Sequence, residues 1–170
     1  MRNNLISVIV FISSVFLFGA ADDSIPNLYQ PRYMVFTAGQ PTLFGMRELS
    51  EMGVKTVVNV LPEKECIPGE QAMVIANQME YVTLPFDPAG LNLRTIYQFG
   101  ELLSTVDRPV LIHCSTGNHV GGLWFAYRVL VENAPLARAL KEGRKIGMKP
   151  AMEDAVFEFI VTTQATKTAR

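Results

Sequence analysis

The chain has 170 residues with 15 Lys+Arg against 16 Asp+Glu, 49% hydrophobic residues, two Cys and two His. A net charge of -1 without any Lys/Arg-rich run gives no electrostatic footing on a nucleic-acid backbone or an anionic membrane surface, so those partners are excluded. Two Cys and two His are too few for a zinc ribbon or a disulfide-dense mini-domain, so the chemistry rests on very few nucleophilic groups and no metal or other cofactor is expected.

In chain order, Met1–Asn4 carries one positive charge, Leu5–Phe18 is an uncharged apolar run, and Gly19-Ala20-Ala21 supplies small residues before Asp22-Asp23. This is the layout of a secretory signal peptide. The run is shorter than the ~20 residues of a bilayer-spanning helix, and Gly19 and Ala21 at positions -3 and -1 put cleavage after Ala21. Residues 1–21 are therefore expected to be removed and the protein to be periplasmic or secreted, with no stable membrane insertion afterwards. A retained N-terminal anchor is the alternative. Removal of those 21 residues leaves 149 and, because Arg2 is the only charge lost, 14 basic against 16 acidic side chains.

Residues 22–36, with Pro26 and Pro31, are expected to form an extended lead-in. Four strands are predicted, at Tyr33–Phe36, Lys55–Val60, Tyr81–Phe86 and Pro109–His113. Thr56-Val57-Val58 and Val110-Leu111-Ile112 are continuous β-branched or apolar runs, the pattern of strands covered on both faces. Helical patterns occupy Pro41–Met52, Gly69–Met79 and Leu93–Thr105 between them, then Val120–Asn133, Pro135–Ile146 and Ala151–Thr162 at the end. Alternating β and α with a helical tail predicts an α/β fold, a three-layer sandwich on a mainly parallel sheet. A single domain over residues 37–165 accounts for the whole pattern.

The segment that carries chemistry is Val110-Leu-Ile-His-Cys-Ser-Thr-Gly-Asn-His-Val-Gly-Gly122. An apolar strand enters a small polar loop that opens directly into a helix. At such a junction the unpaired N–H groups of the helix start face the end of the sheet, where anions bind. Cys114 sits where those donors point, and a thiolate held by loop amides and the helix dipole becomes a nucleophile. A buried structural cysteine is the bland alternative.

His113-Cys114-Ser-Thr-Gly resembles the phosphate-binding loop of the cysteine-dependent protein tyrosine and dual-specificity phosphatases, whose signature is H-C-x5-R. Thr37-Ala-Gly-Gln-Pro41, Lys55-Thr-Val-Val-Asn-Val60, Tyr81-Val-Thr-Leu-Pro-Phe-Asp87, the loop itself and Ala139-Leu-Lys-Glu-Gly-Arg144 are similar to a bacterial subfamily. That subfamily is the phosphatase-like domain also found fused to β-lactamase-like hydrolases. The resemblance implies a fold of the phosphotyrosine phosphatase II type and a phosphorylated or other oxyanionic substrate. It implies that Cys114 is a nucleophile forming a thiophosphate intermediate and that the amides of Ser115, Thr116, Gly117, Asn118, His119 and Val120 cradle phosphate. Asp87 would be the general acid, although a turn-forming or capping Asp reads equally well from the Asp-Pro pair. His113 would tuck under the loop and support it by bonding backbone.

The loop departs from the family where an arginine is expected. That position is Val120 in the H-C-x5-R register and His119 in the shorter register of the closer subfamily. Arginine binds two phosphate oxygens at once, whereas histidine is cationic only near or below its usual pKa of about 6.5 and cannot fork. Loss of such a clamp commonly costs of order 10² to 10⁵ in rate, so weak turnover or none is one expectation. Arg94, Arg128 and Arg144 are candidates to reach in from neighbouring elements. The six residues from Cys114 to His119 also match a rhodanese-like sulfurtransferase loop carrying a persulfide on Cys114, and a pseudophosphatase that binds an oxyanion or phosphorylated partner without turnover is a third reading. Cys66 follows the strand beside the Cys114 strand, which makes a redox disulfide between them an expectation if their Cα atoms lie within about 7 Å. Glu63, Lys64 and Glu65 read as a solvated loop, and Trp124, Phe125 and Tyr127 as core.

Overall fold

Four short runs of β-branched and apolar residues pair side by side in a computed structural model that describes residues 24–168. The strands are β2 (Val35–Ala38), β3 (Thr56–Asn59), β4 (Glu80–Thr83) and β5 (Val110–His113), and β1 (Tyr29–Arg32) adds an antiparallel edge. The order is β1-β2-β5-β3-β4, with every pairing from β2 to β4 parallel. This is the predicted α/β sandwich. The expected leader, its cleavage site and the apolar run all lie outside the described residues.

Side-chain alternation along the strands divides the core in two. Val57 and Leu111 face α1 (Leu43–Glu51) and α2 (Glu70–Ala76), packing with Met46, Leu49 and Val74. Val58, Val110 and Ile112 face the opposite way, against α3 (Leu93–Thr105), α4 (Asn118–Leu130), α5 (Leu136–Ile146) and α6 (Pro150–Thr168). Trp124 and Phe125 of α4 are fully buried there, and Phe99 meets Trp124 and Tyr127 edge to face. No helix among the described residues is long and apolar enough to cross a membrane.

Two expectations are corrected. The lead-in contains β1 and the start of β2, because Pro31 is tolerated in a strand that lies at the sheet edge. The first predicted strand is displaced: Tyr33 is 82% exposed and Met34 takes a left-handed φ of 58°, so the pair forms the hairpin turn and β2 begins at Val35. Elsewhere capping side chains set the boundaries. Thr42 accepts a hydrogen bond from the Gly45 N–H at the start of α1, and Asn92 accepts one from Thr95 at the start of α3.

Parallel register puts the carboxyl ends of the strands on one edge. Ala38 and Asn59 both pair with His113, and Asn59 pairs with Thr83. The four segments that follow, at Gly39–Gln40, Val60–Cys66, Leu84–Gly90 and Cys114–Gly117, are thereby gathered at a single place.

Candidate active site

Cys114 leaves β5 fully buried, and its Sγ accepts the Gly117 N–H at 3.1 Å. Gly117 has φ +82°, and a Cβ there would lie 2.3 Å from the Ile146 carbonyl oxygen. Only glycine makes this turn against the end of α5. The loop carbonyls are tied outward: Ser115 O accepts from the Gln40 N–H at 3.1 Å, and Thr116 O accepts from Asn27 Nδ2 at 3.2 Å. On the inner side α4 begins at Asn118, and its first internal bond runs from the Gly121 N–H to Gly117 O. The amides of Asn118, His119 and Val120 therefore precede any intrahelical acceptor and are free to receive an anion. Asn118 Oδ1 in turn caps the Lys149 N–H at 2.8 Å, fixing the α5–α6 junction against the loop.

His119 lies in the first turn of α4, half-buried, and its Nδ1 is enclosed with no hydrogen-bond partner among the described residues. Burial holds its pKa below the usual histidine value, opposed by the charges of Glu65 and Asp87. Those two carboxylates come from the segments after β3 and β4, so the three residues share the mouth of the loop. Asp87 is exposed and caps the short 3-10 turn Pro88–Gly90, accepting the Ala89 N–H at 2.9 Å. It also borders a surface groove with Pro62, Glu63 and Lys64.

None of the candidate arginines is seen to supply the missing clamp. Arg128 is engaged by Glu132 and Glu142, and Arg144 by Glu153 on α6. Arg94 is exposed on the first turn of α3. The expected disulfide is absent: Cys66 and Cys114 are both free thiols. Cys66 Sγ lies 3.6 and 3.8 Å from the carbonyl oxygens of Pro62 and Leu61, and burial, followed by the charges of Glu70, Glu63 and Glu65, raises its pKa. The two sulfurs are thus turned to different partners, Cys66 to those carbonyls and Cys114 to the Gly117 amide. Glu63, Lys64 and Glu65 are exposed, as a solvated segment should be, but form a 3-10 turn that brings Glu65 to His119.

His113 lies under the loop with its ring fully buried, beside the Cys114 backbone and facing a carboxylate as well. Nε2 is 3.2 Å from Glu70 Oε1, an ion-pair distance with an alignment poor for a straight hydrogen bond. Burial lowers the His113 pKa, and the Glu70 charge and a hydrogen bond to the Cys114 backbone oppose that shift. Glu70, Gln40, Asn59 and Tyr81 were given no role by the sequence. One signal was available, since Asn59 places a polar side chain inside the otherwise apolar run Val57–Leu61.

Comparison with known proteins agrees with this fold. No family model matches the chain. The dual specificity protein phosphatase TpbA of Pseudomonas aeruginosa is 28% identical over 141 residues, which are 80% of this chain and 62% of the length of TpbA. Among solved structures, a DUF442 protein from Shewanella putrefaciens superposes with a TM-score of 0.66 at 20% identity, covering 84% of this chain and 92% of the other. The core catalytic domain of the PP-IP phosphatase SIW14 from S. cerevisiae, in complex with citrate, gives 0.65 at 16% identity over 84% and 94%. TpbA in complex with pTyr gives 0.60 at 23% identity over 85% and 93%. The fold is that of the cysteine phosphatases, and the sequence is similar to that of the dual specificity phosphatase TpbA.

Proposed function

We propose that the chain is an exported cysteine-dependent phosphatase-like hydrolase of phosphate monoesters, with turnover weakened by His119 at the position of the loop arginine. The observation that carries this reading is the loop itself. Cys114 Sγ accepts a loop amide, the carbonyls of Ser115 and Thr116 are held outward, and the first amides of α4 are unoccupied. A phosphorylated side chain or another compact oxyanion fits that set of donors, in keeping with the pTyr and citrate bound by structural relatives.

In the proposed reaction the Cys114 thiolate attacks phosphorus and an S–P bond forms. The P–O bond to the leaving group breaks, and the leaving oxygen takes a proton from the carboxyl of Asp87. Water, deprotonated by the Asp87 carboxylate, then attacks phosphorus, breaks the S–P bond and releases phosphate and the Cys114 thiolate. Loop amides take up the charge of the equatorial oxygens. His119 Nδ1, enclosed and unpartnered among the described residues, is a candidate to add a side-chain contact to them.

The test is steady-state hydrolysis of an aryl phosphate. Cys114→Ser should abolish turnover and Asp87→Asn should lower it by about 10² or more. His119→Arg should raise kcat/KM by at least about tenfold, a modest part of what an arginine clamp supplies elsewhere. An unchanged rate in His119→Arg would contradict the assignment of that position. Formation of Cys114-dependent thiocyanate from thiosulfate and cyanide, without phosphate release, would assign the loop to sulfur transfer instead. Binding of a phosphate analogue without either activity would mark a pseudophosphatase.

A further inference from the structure

Glu70 has no part in the reaction above, yet it is 1% exposed on the α1/α2 side of the sheet, directly behind the loop. A carboxylate is expensive to bury unless its lone pairs are satisfied. Here four donors from four segments surround it. Gln40 Nε2 lies 2.6 Å from Oε1, Asn59 Nδ2 2.5 Å and the Tyr81 hydroxyl 2.7 Å from Oε2, and His113 Nε2 3.2 Å from Oε1. An apolar side chain of the same volume would fill the space at less cost, so stability alone gives a weak reason for the arrangement.

Three of the four donors lead to the site. His113 immediately precedes Cys114. Gln40 holds the Ser115 carbonyl through its own backbone N–H. Asn59 accepts the Leu61 N–H on Oδ1 at 2.7 Å and so directs the segment that carries Glu65 and Cys66. We propose that Glu70 is a positioning residue for Cys114: it fixes His113 as the Nε2–H tautomer and, with Gln40, holds the loop with its carbonyls out and its amides in. The proposal rests on Cys114 being the reactive group of this loop and adds the residue that controls it from across the sheet.

The groups facing this pair are Tyr81 from β4 and Cys66 before α2, with the Cys114 backbone beside His113. The test reads two signals that need no substrate: imidazole ¹⁵N shifts of His113, and the rate of Cys114 alkylation by iodoacetamide as a function of pH. Glu70→Gln keeps the shape and removes the charge. It should convert a single His113 tautomer into a mixture and slow alkylation near neutral pH about tenfold, through loss of the loop geometry that presents the sulfur. Glu132→Gln is the control, since Glu132 accepts Arg32, Tyr127 and Arg128 in a separate ionic cluster. It should lower Tm and leave both signals as in the wild type.

A Glu70→Gln protein with lowered Tm but unchanged His113 shifts and unchanged alkylation would overturn the proposal and leave Glu70 a structural residue. If that variant does not fold, Gln40→Ala removes one donor and leaves the carboxylate. Slower alkylation there supports the proposal, and unchanged alkylation overturns it. Because alkylation requires no turnover, lack of phosphatase activity and lack of Glu70 dependence are separate results.

Discussion

At the scale of single residues, the proposed standing of His119 in the place of a loop arginine would govern what the site can do. Arginine carries its charge at every pH, whereas burial keeps the His119 pKa below the usual histidine value against the pull of Glu65 and Asp87. The sign follows directly. A lowered pKa leaves His119 neutral through the upper part of the histidine range, and its cation appears only as the pH falls below it. The kcat/KM advantage of His119→Arg over the wild type should therefore be greatest at neutral and alkaline pH and should shrink as the solution is made acidic. Paired pH–rate profiles measure this, and a ratio independent of pH would show that His119 does not act through its charge. The strand, glycine-bearing loop and helix that hold Cys114 and His119 were legible from sequence because they form one local motif. Glu70 was not, because its burial depends on Gln40, Asn59, Tyr81 and His113, which are distant in sequence and meet only when the parallel strands are in register.

At the scale of elements, the loop is shaped by close approach of α4 and α5. A Cβ on Gly121 would lie 2.6 Å from Gly143 O and 2.8 Å from the Met148 backbone nitrogen, neither of which can swing aside. On Gly122 it would meet the Met152 side chain at 2.7 Å, and that chain is flexible. Gly121→Ala should cost ~1–3 kcal/mol and Gly122→Ala distinctly less. Gly117→Ala should be the most damaging to activity, because it combines a positive φ with a backbone clash at the turn below Cys114. Chemical denaturation with parallel rate measurements checks the order, and equal costs for Gly121 and Gly122 would contradict the packing account. The same scale explains what sequence patterns delivered. α3 spans Leu93–Thr105 as predicted because a capping Asn and a clean apolar face mark it locally. β1 escaped because Pro31 and a turn through Tyr33 and a left-handed Met34 are not strand or turn signals by residue type.

At the scale of the whole molecule, the sheet brings four loops to one edge, with a hydrophobic layer packed on each of its faces. The export proposal belongs here as well. Protein recovered from an exported fraction should begin at Asp22 by N-terminal sequencing, and an intact Met1 in the membrane fraction would favour the retained anchor. The central claim is that Cys114 attacks an oxyanion held by the amides around it. Its most direct measurement is mass spectrometry of the acid-quenched reaction with an aryl phosphate, reading the peptide that contains Cys114. The account predicts one phosphoryl group on that peptide in the wild type, accumulating further in Asp87→Asn if breakdown of the intermediate becomes limiting, and absent in Cys114→Ser. Phosphate release with no phosphoryl group trapped on Cys114, and no loss of rate in Cys114→Ser, would contradict it.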